Sequence, residues 1–356
     1  MQAMPRGDSN NASPANVTRR DCLRASAAIA AVGTSGLLTA CGGGESAASG
    51  TPVTFLAVVP FTTLTYAPEL YADSAGYFAD QGLTVDFQST RGSAQAIQLV
   101  LAGSAPLTRI GQIEAVSHIV NSDAPLLNVA TVVKESAIRI VSAANAPLNE
   151  PKDFVGKLLG IPSEGGESET TLDLLLASAG IEPASIERQV VGVGPGVFNL
   201  VEQGRIAGFM VSIDTATILA QQMQNAVVLN PGNFIEAGAQ AYTIARDDLD
   251  ENRLIVRKYL DAIRAAIDFV VADDGFDETL RTIRSKYSFA TLEDDSVAKA
   301  SLREYVRAWT KEGPAYIMRT NEETWRRGYE ELVRAGRLPA GKNPSEWFTN
   351  ELVASG

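Results

Sequence analysis

His118 is the only histidine in the 356-residue chain, and its isolation limits the chemistry at once. It sits between Ser117 and Ile119 on a helical pattern, with no second His or Cys at metal-ligating or triad spacing. The sequence holds no Gly-x-Ser-x-Gly, no Cys-x-x-Cys and no phosphate-cradling Gly-x-x-x-x-Gly-Lys loop. Glu164 and Glu167 have the side chains for acid–base work, but a surface pair at that spacing is ordinarily just solvated. Gly192-Val193-Gly194-Pro195-Gly196-Val197 lies between a strand and a helix, with Asp214 further on. It fails as a dinucleotide fingerprint, because Val197 takes the third glycine position and Pro195 stiffens the loop. The residues therefore point to a protein that is not an enzyme and carries no cofactor and no metal.

Binding chemistry is better represented. Arg109 has the planar fork that holds a carboxylate, sulfonate or phosphate by two bonds; the alternative is an ion pair with Glu114 or Glu135. Phe61, Tyr66, Phe198 and Tyr242 offer faces for a planar ligand, or else pack in a core or hinge. Gly165-Gly166 joins a strand to a helix, where small residues let the backbone approach a ligand closely.

These residues must be positioned by a repeated pattern of short apolar strands and amphipathic helices. Pro52 to Val59, Thr84 to Gln88, Leu107 to Ile110 and Leu126 to Val133 read as strands, separated by helical stretches at 67–79, 94–102 and 113–120. The pattern restarts after a strand over 137–142, with further strands over 158–161, 187–193, 206–211 and 226–229. Gln240 to Ala245 is the return strand, and beyond Asp247 the chain is mostly helical. Repeated β-α-β units imply parallel sheets with helices on both faces. The expected fold class is α/β: two doubly wound lobes joined by a two-strand hinge. Residues 52–141 and 241–356, with the C-terminal helices, form the first lobe and 142–240 the second. Ligands of such sheets bind at the carboxyl ends of the strands, in the cleft between lobes.

The chain is 45% hydrophobic and 20% charged, ordinary for a globular protein, with a formal net charge of −12. An acidic body without a Lys/Arg cluster excludes nucleic acid as a partner. The first forty residues read as an address. Thr18-Arg19-Arg20-Asp21-Cys22-Leu23-Arg24 resembles a twin-arginine export motif, and an apolar stretch over 25–38 follows, too short to span a membrane. Leu38-Thr39-Ala40-Cys41-Gly42 resembles a lipobox, which implies a lipid anchor on Cys41, a flexible tether over 41–51, and a location outside the cytoplasm facing the periplasm or cell exterior.

Ala67-Pro68-Glu69-Leu70-Tyr71-Ala72, running on through Gly76-Tyr77-Phe78 to Gly82-Leu83-Thr84-Val85, resembles the signature of one family. It is the group of ABC-importer substrate-binding proteins for nitrate, taurine, alkanesulfonates, thiamine-pyrimidine precursors and riboflavin. Gly92-Ser93-Ala94, Leu101-Ala102-Gly103-Ser104-Ala105, Asp153-Phe154-Val155-Gly156-Lys157 and Val201-Glu202-Gln203-Gly204 are similar to it in the same order. The resemblance implies a periplasmic-binding-protein type II fold and a monomer that captures a small organic molecule, anionic or heterocyclic, and delivers it to ABC permease subunits. Position by position it implies a ligand site at Phe61, Thr62, Tyr66, Gly92, Ser93, Arg109, Gln112, Ser163, Gly165, Gly166, Gly194, Asp214 and Tyr242, with Glu167 and Ser168 in the same second-lobe loop and Ser212 beside Asp214. The same fold also serves as the sensing domain of membrane receptors, and the pyrimidine-synthesising relatives are enzymes. Those enzymes use a Cys-rich motif and an active-site His that this chain lacks.

Overall fold

The computed structural model describes residues 50–164 and 166–353. All of them belong to one compact unit, residues 47–356. The expected export signal, Cys41 and Gly165 lie outside the described residues.

The first lobe begins with β1 (Thr51–Ala57), α1 (Ala67–Ser74), α2 (Tyr77–Asp80), β2 (Leu83–Ser89), α3 (Ser93–Leu101), β3 (Leu107–Gly111), α4 (Gln112–Ser122) and β4 (Leu126–Val133). The single helix expected over 67–79 is two helices, because Gly76 adopts φ 85°, a left-handed conformation that glycine takes without steric cost. The second lobe contains β5 (Ile138–Ala143), β6 (Leu158–Ile161), α5 (Glu167–Ser178), β7 (Glu187–Val190), α6 (Phe198–Glu202), β8 (Gly208–Ser212), α7 (Ile213–Gln222) and β9 (Ala226–Leu229). The chain returns through β10 (Gln240–Ala245) and continues as α8 (Leu249–Ala272), α9 (Asp277–Arg284), α10 (Ala290–Glu293), α11 (Asp295–Thr310) and α12 (Glu322–Arg334).

Each lobe holds a five-stranded sheet, ordered β2-β1-β3-β10-β4 in the first and β7-β6-β8-β5-β9 in the second. The first three strands of each order run parallel. The fourth position is antiparallel to both its neighbours, and in each lobe it is filled by a strand entering from the other lobe. The sheets are therefore mixed and not purely parallel. Every residue of β3 and β4 is buried, as expected for strands covered on both faces.

Because β5 pairs wholly within the second sheet, the first crossing falls at 134–137, earlier than the hinge expected near residue 141. The second crossing runs over 230–239. Glu135, fully buried, ties the two together: it accepts from Arg139 Nη2 at 3.0 Å, from Asn230 Nδ2 at 3.0 Å and from Arg307 Nη2 at 2.8 Å. At Gly238, φ 110° and a Ser136 backbone within 3.3 Å leave no room for a side chain.

The C-terminal helices touch both lobes instead of completing the first alone. Tyr305 and Trp309 of α11 pack in one core with first-lobe strands and with Ile213 of α7. Trp325, Tyr329 and Leu332 of α12 share another core with Ile113 and Val116 of α4 and Leu174 of α5. No described helix is long and apolar enough to cross a membrane.

Candidate ligand cleft between the lobes

The strands of the first lobe end in a loop that leads from β1 to α1. Its residues Val58, Pro60, Thr62, Thr63, Thr65 and Tyr66 form one wall of a cavity of about 400 Å³. The opposite wall comes from the second lobe: Pro162, Glu167 and Ser168 before and within α5, Val193, and Val211, Ser212 and Thr215 where β8 passes into α7. Arg109, Gln240 and Tyr305 complete it beside Ala137 of the first crossing and Ile138 at the start of β5. The volume suits a small organic molecule.

Arg109 is buried, and its charge is already committed. Nη1 donates to Glu69 Oε1 at 2.9 Å and Oε2 at 3.0 Å, and Nη2 donates to the carbonyl of Thr65. The partner is Glu69, neither Glu114 nor Glu135. The guanidinium also stacks 4.5 Å over the Tyr66 ring. Burial pulls Arg109 downward, but the charge of Glu69 with its tyrosine neighbours outweighs this, so Arg109 is more firmly protonated than usual. Burial pushes Glu69 upward, opposed by Arg109 and by the Tyr242 hydroxyl, which donates to Oε1 at 2.7 Å.

Of the residues expected to bind ligand, Thr62, Tyr66 and Arg109 stand on the cavity wall. Tyr242 is fully buried behind it, held by Glu69, and Gln112 is buried with its amide donating to the Trp325 carbonyl at 3.1 Å. Neither lines the cavity. Phe61 stacks between Tyr66 and Phe87, with ring centroids 4.8 and 4.4 Å away, so both its faces are taken. Ser163 and Gly166 flank wall residues at the start of α5, and Gly194 follows Val193. Gly92 and Ser93 open α3 away from the lining. Asp214 sits behind the wall. Its Oδ2 accepts from the Leu64 amide at 3.0 Å and from the Thr63 hydroxyl, which joins the second lobe to the first. Burial raises its carboxyl above the usual range, against those two donors.

Glu167 and Ser168, in the loop that the resemblance puts at the cleft, stand on the wall, and the solvated pair expected between Glu164 and Glu167 does not form. Glu164 is exposed, whereas Glu167 Oε1 is sealed from solvent and receives no hydrogen bond. Burial, then the nearby charge of Glu114, holds Glu167 well above the ordinary carboxylate range. Ser212 was expected beside the cleft and lines it, whereas Thr215 was missed. Its signal is a strand running directly into a helix, with Ser212 Oγ capping by accepting from the Thr215 amide at 3.3 Å. His118 uses Nδ1 on the Glu114 carbonyl at 2.9 Å. Among the described residues no three His, Cys, Asp or Glu side chains converge as metal ligands.

A two-lobed clamp with an interlobe cleft defines the class of a solute-binding protein. Comparison with known proteins agrees: the profile of the family described as "NMT1/THI5 like" matches residues 64–274, and the chain belongs to that family. The riboflavin-binding protein RibY of Chloroflexus aurantiacus is 25% identical over 308 residues, 85% of this chain and 86% of that one. A formylaminopyrimidine-binding protein of Halalkalibacterium halodurans is 29% identical over 117 residues, 33% of this chain and 35% of its own. The periplasmic aliphatic sulphonate binding protein SsuA of Escherichia coli shares the fold, with TM-score 0.65 and 15% identity over 84% of this chain and 97% of that one.

Proposed function

We propose that this chain is an exported solute-binding lipoprotein that closes its two lobes on a planar heterocycle bearing N–H donors and delivers it to an ABC importer. The observation that carries the ligand class is the electrostatics of the cleft. Among the described residues its one lining cation, Arg109, is neutralised by Glu69, while Glu167 adds a carboxyl to the wall. A sulfonate or nitrate would enter without a free positive partner and beside an acidic side chain, which is costly in a desolvated site. A ligand with ring N–H or amino groups would instead find acceptors in Glu167 and the hydroxyls of Thr62, Thr63, Ser168 and Thr215. Riboflavin and a formylaminopyrimidine, the ligands named for two relatives, have this chemistry.

Export through Arg19-Arg20 and anchoring through an acylated Cys41 belong to the same proposal, resting on the order of the signal in the sequence. A thermal-shift panel of riboflavin, formylaminopyrimidine, taurine, aliphatic sulfonates and nitrate tests the ligand class. At a hundredfold excess over Kd, a true ligand adds roughly 2.7 kcal/mol of stability. A sulfonate or nitrate as the sole stabiliser would contradict the proposal.

A further inference from the structure

Glu114 lies in the first turn of α4 in the first lobe, and Glu167 opens α5 in the second. Their side chains meet over Gly111. A β-carbon on that residue would come within 3.2 Å of Glu167 Oε1 and closer still to Glu114 Oε2. Both oxygens are shut off from solvent, and neither receives a hydrogen bond. Two carboxyl groups from opposite lobes thus share one small space with no donor between them. Two full negative charges there repel each other in a poorly solvated setting, whereas one proton turns the contact into a hydrogen bond.

The cations on the surrounding elements are engaged elsewhere. Arg109 pairs with Glu69, Arg188 with Asp173 and Glu169, and Arg337 with Asp173. On α12, Arg326 pairs with Glu323 and Glu330, Arg327 with Glu236 and Glu323, and Arg334 acts on Glu331. Glu331 itself accepts from the amides of Glu236 and Ala237, and His118 meets only the backbone carbonyl of Glu114. On the turn packed against α5, Asp153 accepts from the Asn149 and Glu150 amides, and Lys152 is exposed. None of these side chains reaches the pair with a compensating charge.

We propose that Glu114 and Glu167 hold one proton between them across the lobe boundary, and that losing it loosens the clamp, so that closure and proton uptake are coupled. Burial pushes the Glu114 carboxyl up to about 7, and Glu167 lies above its ordinary value for the same reason and because Glu114 is beside it. The sign follows from linkage. A carboxyl whose folded value is raised contributes stability that is full below the unfolded value, near 4, and is lost as pH rises through the folded one. The loss falls near neutrality.

The inference requires no ligand and is tested on the full chain alone. Small-angle scattering at about pH 6 and about pH 8.5, on either side of the Glu114 value, gives the radius of gyration of wild type, Glu114→Gln and Glu167→Gln. Wild type expands at the higher pH, and its melting midpoint falls by several degrees more than that of either variant. Both glutamine variants, which carry one carboxyl in place of the pair, expand less than wild type over the same range. Lys134, lowered to about 8 by burial, lies at the first crossing and titrates in the same window. It moves all three proteins alike, so the difference between them reads the pair. Equal expansion in all three, or none in wild type, overturns the proposal. Should one variant fail to fold, the other decides.

Discussion

Arg109 and Glu69 form an ion pair that is sealed from solvent, with one guanidinium nitrogen, Nη1, 2.9 and 3.0 Å from the two carboxylate oxygens. The residue most suited by type to bind an anion is thereby turned into part of the framework. It fixes β3 to α1 and supports the β1–α1 loop through Thr65. Removing one partner strands the other charge in the core. Glu69→Gln is expected to cost about 3 kcal/mol of stability, the lower end of what breaking a buried pair costs. Arg109→Lys should lose stability too, since Lys lacks the planar fork, while leaving affinity for a heterocycle within about twofold, well under 1.4 kcal/mol. Chemical denaturation and calorimetry on the same samples separate the two effects.

Glu135 should behave as the keystone of the crossings. With Arg139, Asn230 and Arg307 converging on it, Glu135→Ala leaves the buried Arg139 guanidinium with only a 3.4 Å contact to the half-exposed Glu304 for a counter-charge. The expected loss is about 3–5 kcal/mol, measured by urea unfolding. A loss under about 1 kcal/mol would show that the cluster acts like a surface pair.

Asp214 joins the lobes near the hinge through Thr63 and the Leu64 amide. Asp214→Ala strands that amide and should cost about 1–3 kcal/mol. Asp214→Asn keeps an acceptor and should recover most of it. Equal losses for both would assign the effect to charge instead.

The lobes were legible in the sequence because their strands are short apolar runs with clear boundaries. Leu158–Ile161, Ala226–Leu229 and Gln240–Ala245 have the bounds their side chains suggest. The direction of β5 and β10 was not legible, since a run of alternating or apolar residues is the same read parallel or antiparallel. The site was only half readable for a related reason. Arg109 lies inside the wholly buried run Leu107–Gly111, and its partner Glu69 is forty residues earlier, where no local pattern announces it. Glu167 looked solvated because its burial comes from the facing lobe, which periodicity in its own helix cannot report.

The export signal makes its own claim. Cys41→Ala is expected to leave the membrane fraction as a soluble or unprocessed form, and replacing Arg19-Arg20 by Lys-Lys is expected to block export by the twin-arginine route. Fractionation and gel migration identical to wild type would remove the lipid anchor from the account.

The most direct measurement of the central claim is calorimetric titration of the full chain with riboflavin, formylaminopyrimidine and taurine, paired with small-angle scattering of each mixture. One of the two heterocycles is expected to bind, to shrink the radius of gyration, and to lose at least tenfold in affinity, about 1.4 kcal/mol, in Glu167→Ala. Taurine binding tightly while both heterocycles fail, or a heterocycle binding with no compaction and no response to Glu167→Ala, would contradict it.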